Sequence, residues 1–161
     1  MHRRTLYDRR PQRSEKGDEE MKLGRVRTLR GQIEVAGGAT EGRLSLVAAD
    51  GLINYGLRIT KLSLWAVDPL NSFIGILSYQ TIPTGTLMDT ADNRQFGWSV
   101  GNGLGDVNPS YLDPDHIINR DMFLSLVNSA PGTYNYLIEM QVVELTDDEA
   151  IITIIKETSQ S

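Results

Sequence analysis

Two histidines, two tryptophans and no cysteine set the chemistry open to this 161-residue chain. Without a thiol there is no disulfide, no thiolate nucleophile and no Cys-ligated zinc. His2 lies near the start, and His116 closes the stretch Asp113-Pro114-Asp115-His116. An Asp beside a His can orient a general base or share a metal ion. A metal site needs several spaced ligands, however, and neither HxH nor HExxH occurs. His116 therefore reads as a surface residue at a strand entrance. Asp89, Asp92 and Asn93 in MDTADNRQ gather oxygen donors, but they depart from the D-x-[DN]-x-[DN]-G order of a calcium loop. A turn rich in Asx is the simpler reading. GNGLGD lacks the strand-to-helix flanks of a dinucleotide fingerprint, and neither a P-loop nor GxSxG occurs. Any two acids can meet in a fold as a hydrolase pair, yet nothing nominates one. The expectation is a protein that is not an enzyme, with no cofactor and no metal.

What does stand out is charge. Residues 1–30 hold 10 Lys+Arg against 5 Asp+Glu, and residues 31–161 hold 6 against 16. A basic arm on an acidic body suits contact with something negative, either nucleic acid or the acidic face of a neighbouring copy. A solvated tail is the plain alternative. Arg3, Arg4, Tyr7, Arg9, Arg10 and Arg13 carry the pattern. Arg pairs bidentately with phosphate or carboxylate, while Tyr stacks on a base or plugs a surface pocket. Residues 1–22 lack hydrophobic periodicity and read as a flexible basic arm.

The body that must position such an arm is written in alternation. Residues 116–145 hold two apolar-patterned runs around Asn128-Ser129-Ala130-Pro131-Gly132. In the second run Tyr134, Tyr136, Ile138, Met140 and Val142 fall on one face, and Glu139 and Gln141 on the other. In the first, Ile118, Met122, Leu124 and Leu126 share a face, interrupted by Arg120. This is the period of half-buried strands, and Pro-Gly between them marks a hairpin or a tight connection from one sheet to another. Residues 23–35 alternate as an opening strand, with Ile33 and Val35 opposed to Gln32 and Glu34. The Gly-rich turn 36–42 leads into RLSLVAA, a short strand, and Asp50-Gly51 signals another turn.

LINYGLRITKLSLWAV, residues 52–67, places Leu62, Leu64 and Ala66 against Ser63, Trp65 and Val67, with Gly56 marking a bulge or bend. Apolar residues on both faces predict a buried central strand or a subunit contact. NSFIGILSYQ reads as another strand. Residues 81–114 form a long irregular stretch holding at least one strand, QFGWSV, anchored by Phe96, Trp98 and Tyr111.

The tail changes period. Thr146-Asp147-Asp148-Glu149 has the form of a capping box, and Ala150, Ile151, Ile154 and Ile155 make an apolar stripe at helical spacing. A short C-terminal helix over 146–158 is expected, with Ile151, Ile154 and Ile155 as subunit contacts. A final strand AIITII is the competing reading.

With 40% hydrophobic residues the chain can bury a core, and no run approaches the ~20 apolar residues of a membrane-spanning helix. The N-terminus has no apolar segment of the kind that follows a secretory n-region. At least six strand-like runs with Pro- and Gly-rich connections predict an all-β chain, a single jelly-roll-like β-sandwich over 23–161.

The basic arm from His2 to Arg13, one sandwich of this size and the long loop 81–114 resemble small viral structural proteins. These are the single-jelly-roll capsid or minor virion proteins. IPTGTLMDTADNRQFGWSV, DPDHIINRDMFL and NYLIEMQVVELTDDEAIITIIKE look similar to short phage-like structural proteins. The resemblance is best over 81–161. It implies a self-assembling component located in the virion, with other copies of itself and other virion proteins as partners, and with nucleic acid reached through the arm. The C-terminal helix is a departure, since not all such capsid proteins carry one. The competing expectation is a carbohydrate- or receptor-binding module, spike or lectin-like, in which Trp65, Trp98, Tyr79 and Tyr111 stack on sugar. Core packing is the ordinary fate of such aromatics.

Overall fold

The structure, a computed structural model, describes residues 22–46, 55–103, 108–118 and 120–145. The described residues form eight strands: β1 (Lys22–Val35), β2 (Gly42–Leu46), β3 (Tyr55–Ala66), β4 (Ser72–Ser78), β5 (Gln95–Asn102), β6 (Ser110–Leu112), β7 (Met122–Val127) and β8 (Gly132–Glu144). They build two wholly antiparallel sheets, one of order β1-β8-β3 and one of order β2-β7-β4-β5-β6. The described residues are all-β, as their alternation predicts. The basic arm, the Asp50-Gly51 turn and the C-terminal segment 146–158 lie outside the described residues.

One face of each sheet is apolar, and the two faces close on each other. The three-stranded sheet contributes Ile33, Val35, Leu57, Ile59, Leu62, Leu64, Tyr134, Tyr136, Ile138 and Met140. The five-stranded sheet answers with Phe73, Leu77, Phe96, Met122, Leu124 and Leu126. Pro131-Gly132 does not close a hairpin. β7 and β8 belong to different sheets, so the turn carries the chain from one layer to the other. Asn128 there takes a positive φ of 43°, and the Tyr134 hydroxyl donates to Ala130 O at 2.5 Å. Burial raises the pKa of that hydroxyl.

Two register slips decide which side chains enter the core. In β3 the pairing with β8 shifts between Ile59 and Lys61. The extra residue flips the alternation, so Leu57 and Ile59 face inward before the slip and Leu62 and Leu64 after it. The bulge thus falls at Thr60. Gly56 instead makes room for Ile117, whose Cγ2 lies 2.5 Å from where a Cβ would stand. In β5 the shift between Leu77 and Ser78 loops out Phe96. That places Phe96 in the main core, while Trp98 joins Ile76, Ile82 and Val127 in a satellite cluster on the opposite face.

β3 is not the central strand its two-sided apolar pattern predicts. It is an edge strand, with β8 on one side only. Its apolar residues do face a layer on the inside, but on its other side no strand of the described residues pairs with it.

Candidate functional site

A sheet edge is a row of backbone donors and acceptors that can template another strand. Four are present among the described residues. β1 carries exposed Arg25, Arg27 and Arg30, which disfavour stacking of further strands. β2 has five residues and β6 only three. β3 has twelve.

The first part of the β3 edge is closed. Leu57 exchanges both backbone hydrogen bonds with Ile118, at 2.6 and 2.8 Å. Ile59 N donates to His116 Nε2 at 2.9 Å. An imidazole nitrogen that accepts from an N–H carries no proton, so the proton sits on Nδ1, which donates to Asp113 O. The ring stacks on Phe96 at 5.0 Å and 18°. His116 is 1% exposed, not the surface residue its sequence context suggests. It is a neutral side chain that completes a β ladder where the backbone does not.

From Thr60 to Ala66 no strand partner faces β3 on this side among the described residues. Val67 N bonds toward Thr133 O of the β8 strand, and Leu64 O points the other way, accepting from Asn108 Nδ2 at 3.4 Å. Since polar backbone groups alternate along a strand, Leu62, Leu64 and Ala66 turn theirs to the open side. A groove of about 540 Å³ runs along this reach, walled by β3 on one side and by Asn108, Pro109, Ser110 and Leu112 on the other. Trp65, 42% exposed, stands at its end. Trp65 also borders a cavity of about 190 Å³ with Asn71 and Phe73, and a shallow one of about 460 Å³ with Arg30, Gln32 and Leu137 on the outer sheet face.

The four aromatics of the sugar-binding expectation do not form one platform. Tyr79 is buried against Phe96 at 4.7 Å, and Trp98 is buried in the satellite cluster. Tyr111 is 62% exposed but pairs with Trp98 on the outer face of the five-stranded sheet, while Trp65 lies on the outer face of the other.

The Asx-rich loop proves to be a brace. Asp89 Oδ1 accepts from Ala91 N, and Asp92 Oδ1 from Arg94 N, both within 3.0 Å. Arg94 grips Asp92 with two further bonds, at 2.9 and 2.7 Å. Arg94's hydrogen bond is the main cause holding the Asp92 carboxyl below its ordinary pKa, and the pair raises that of Arg94 in turn. Buried Gln95 ties the loop to the sheet: its Oε1 accepts from Asp89 N and Trp98 Nε1, and its Nε2 donates to Leu87 O and Asp92 Oδ2. Ile82 is thereby pressed onto the sheet's outer face.

No family model, no curated protein and no solved structure matches this chain. The geometry of the described residues holds no group of three His, Asp or Glu suited to a metal. It offers an open strand edge with an exposed tryptophan beside it. Sequence reasoning picked out Trp65 but missed the edge. The one signal was a phase slip, Leu57 and Ile59 odd-numbered and Leu62 and Leu64 even, which marks the bulge but not which strand lies outermost. Arg3, Arg4, Tyr7, Arg9, Arg10, Arg13, Ile151, Ile154 and Ile155 lie outside the described residues.

Proposed function

We propose that this chain is a structural virion protein, a capsid or minor capsid subunit that assembles with copies of itself. The observation that carries the reading is the strand order. β1 pairs with β8, β2 with β7 and β4 with β5, while β3 and β6 face each other across the groove. Strands joined by a constant sum of their numbers are the wiring of a ribbon rolled up from its two ends, which is a jelly roll. In this reading β6 has left the β3 edge and extends the other sheet. Shell subunits present sheet edges and loops to neighbours related by symmetry. The basic arm, entering β1 at Lys22, is suited to reach an acidic neighbouring body or a genome.

The test is light scattering and negative-stain microscopy on the full chain and on a chain lacking residues 1–22. Closed particles or rings from the full chain, lost on truncation, support the subunit role and make the arm a clamp. A monomer at all concentrations overturns self-assembly.

One observation favours the second reading, a carbohydrate-binding module. Trp65 is exposed beside Arg30 and Gln32 on the outer sheet face, an indole flanked by groups that donate to hydroxyls. Binding to a glycan array that Trp65→Ala abolishes, by a chain that stays monomeric, selects this reading over assembly.

A further inference from the structure

We propose that the open edge of β3 is a strand-acceptor site, and that its occupant is the segment 150–155 of a second copy. The inference rests on the shell-subunit reading and names the contact that subunit makes.

The acceptor is defined by what guards the other edges and not this one. The open reach from Thr60 to Ala66 contains one charge, Lys61, and no proline. It spans about 23 Å at strand rise. Among the described residues its outward backbone groups meet only the long bond from Asn108 to Leu64 O, which an incoming strand replaces with ladder bonds. Half-buried Leu112 adds apolar surface to the groove wall, while Leu62 and Leu64 present backbone there and turn their side chains to the core.

The occupant follows from the composition of the segments that flank the described sandwich. Residues 1–21 are charged at more than half their positions, and burying such side chains against a groove wall is costly. Ala150-Ile151-Ile152-Thr153-Ile154-Ile155 has no charge and five β-branched residues in succession. Six residues extend about 20 Å, close to the open reach. Asp147, Asp148 and Glu149 precede the segment and Lys156 follows it. Lys61 stands at the start of the open edge, so charge favours a strand running parallel to β3, with its acidic lead beside Lys61.

A chain's own tail does not reach. Glu144 lies opposite Tyr55, at the far end of β3. The path from there to the open side at Lys61 is about 20 Å along the strand and about 10 Å across β3, about 22 Å in all, while the five residue steps from Glu144 to Glu149, the last of the acidic lead, span at most about 18 Å. The tail must also cross the His116–Ile118 segment that already holds Leu57 and Ile59. A neighbouring copy has neither constraint.

The absence of cysteine makes the test clean. A Ser63→Cys chain is mixed, under mild oxidation, with separate chains carrying Ile151→Cys, Ile152→Cys, Thr153→Cys or Ile154→Cys. The expected result is a chain-to-chain disulfide at alternate tail positions, with yields at least about tenfold above the intervening ones, because only one strand face meets the acceptor. Uniform yields, no yield, or yields spaced at three and four overturn strand addition. A cross-link within one chain of the Ser63→Cys, Thr153→Cys double variant, without cross-linked dimers, overturns the second copy. Scattering separates the two levels. If the full chain assembles and a chain ending at Leu145 assembles equally, this inference fails and the shell-subunit reading stands. If the full chain is monomeric, both fail. Ile152→Asp with Ile154→Asp is expected to weaken association at least about tenfold, consistent with burial of the segment.

Discussion

The indole Nε1 of Trp98 donates to Oε1 of Gln95 at 2.8 Å, and the same oxygen accepts from Asp89 N at 3.0 Å. One buried side chain thus joins the five-stranded sheet to the loop that covers its outer face. Gln95→Leu keeps the approximate shape but strands the Trp98 N–H, the Asp89 N–H and Leu87 O. The expected cost is about 1–3 kcal/mol by denaturant unfolding. Amide exchange should rise across residues 81–94, while β7 and β8 keep their protection. Uniform loss of protection would mean that the loop and the sandwich open together.

The Asp92–Arg94 pair gives the loop an acid limb. Arg94 lowers the folded pKa of Asp92. Stability from the pair is therefore complete above the ordinary carboxylate value and is lost as pH falls through the lower folded value. Asp92→Asn should cost stability at pH 7 and flatten the decline below about pH 4. Thermal unfolding of both chains from pH 7 down to pH 2 checks the sign: the two curves must converge toward acid.

His116 acts through one proton position. Imidazole ¹⁵N shifts should report the Nδ1–H tautomer, because Nε2 accepts from Ile59 N. His116→Leu leaves that buried N–H unpaired, at an expected cost of about 1–3 kcal/mol. The Ile59 amide should lose its exchange protection before the rest of β3 does.

Gly75 is fitted to Leu64 across the sandwich. A Cβ at Gly75 would stand 2.3 Å from Leu64 Cδ2. Gly75→Ala is expected to destabilise by about 1–3 kcal/mol through overpacking. Combined with Leu64→Ala it should cost less than the sum of the single changes, since the smaller side chain vacates the space. Additive costs in chemical denaturation would show that the two residues do not share that volume.

Trp65 carries little of the fold. Trp65→Ser should change unfolding free energy by within about 0.5 kcal/mol, as exposed positions do. The same change should lower whatever association or glycan binding the full chain shows. A large loss of stability without any change in association would assign Trp65 to packing.

The fold class was legible because alternation is a local property. Tyr134, Tyr136, Ile138 and Met140 announce a strand with one buried face, and all four are buried. Ile118, Met122, Leu124 and Leu126 do the same, each at the core. The chain could not show that Pro131-Gly132 links two layers rather than two neighbours in one sheet, because both arrangements ask the same of the turn. Nor could it place Trp98 and Phe96 on opposite faces: they are two residues apart, and only a looped-out residue against β4 separates them.

By itself, then, the sequence determined where strands form, which side of each is apolar, and that neither thiol chemistry nor a recognisable catalytic motif is present. Those follow from residue types and a period of two. The tertiary structure alone decided that β3 is outermost, that His116 is buried against its edge, and that Gln95 holds the covering loop. Each depends on which distant segments meet across the sandwich, and no local preference encodes that.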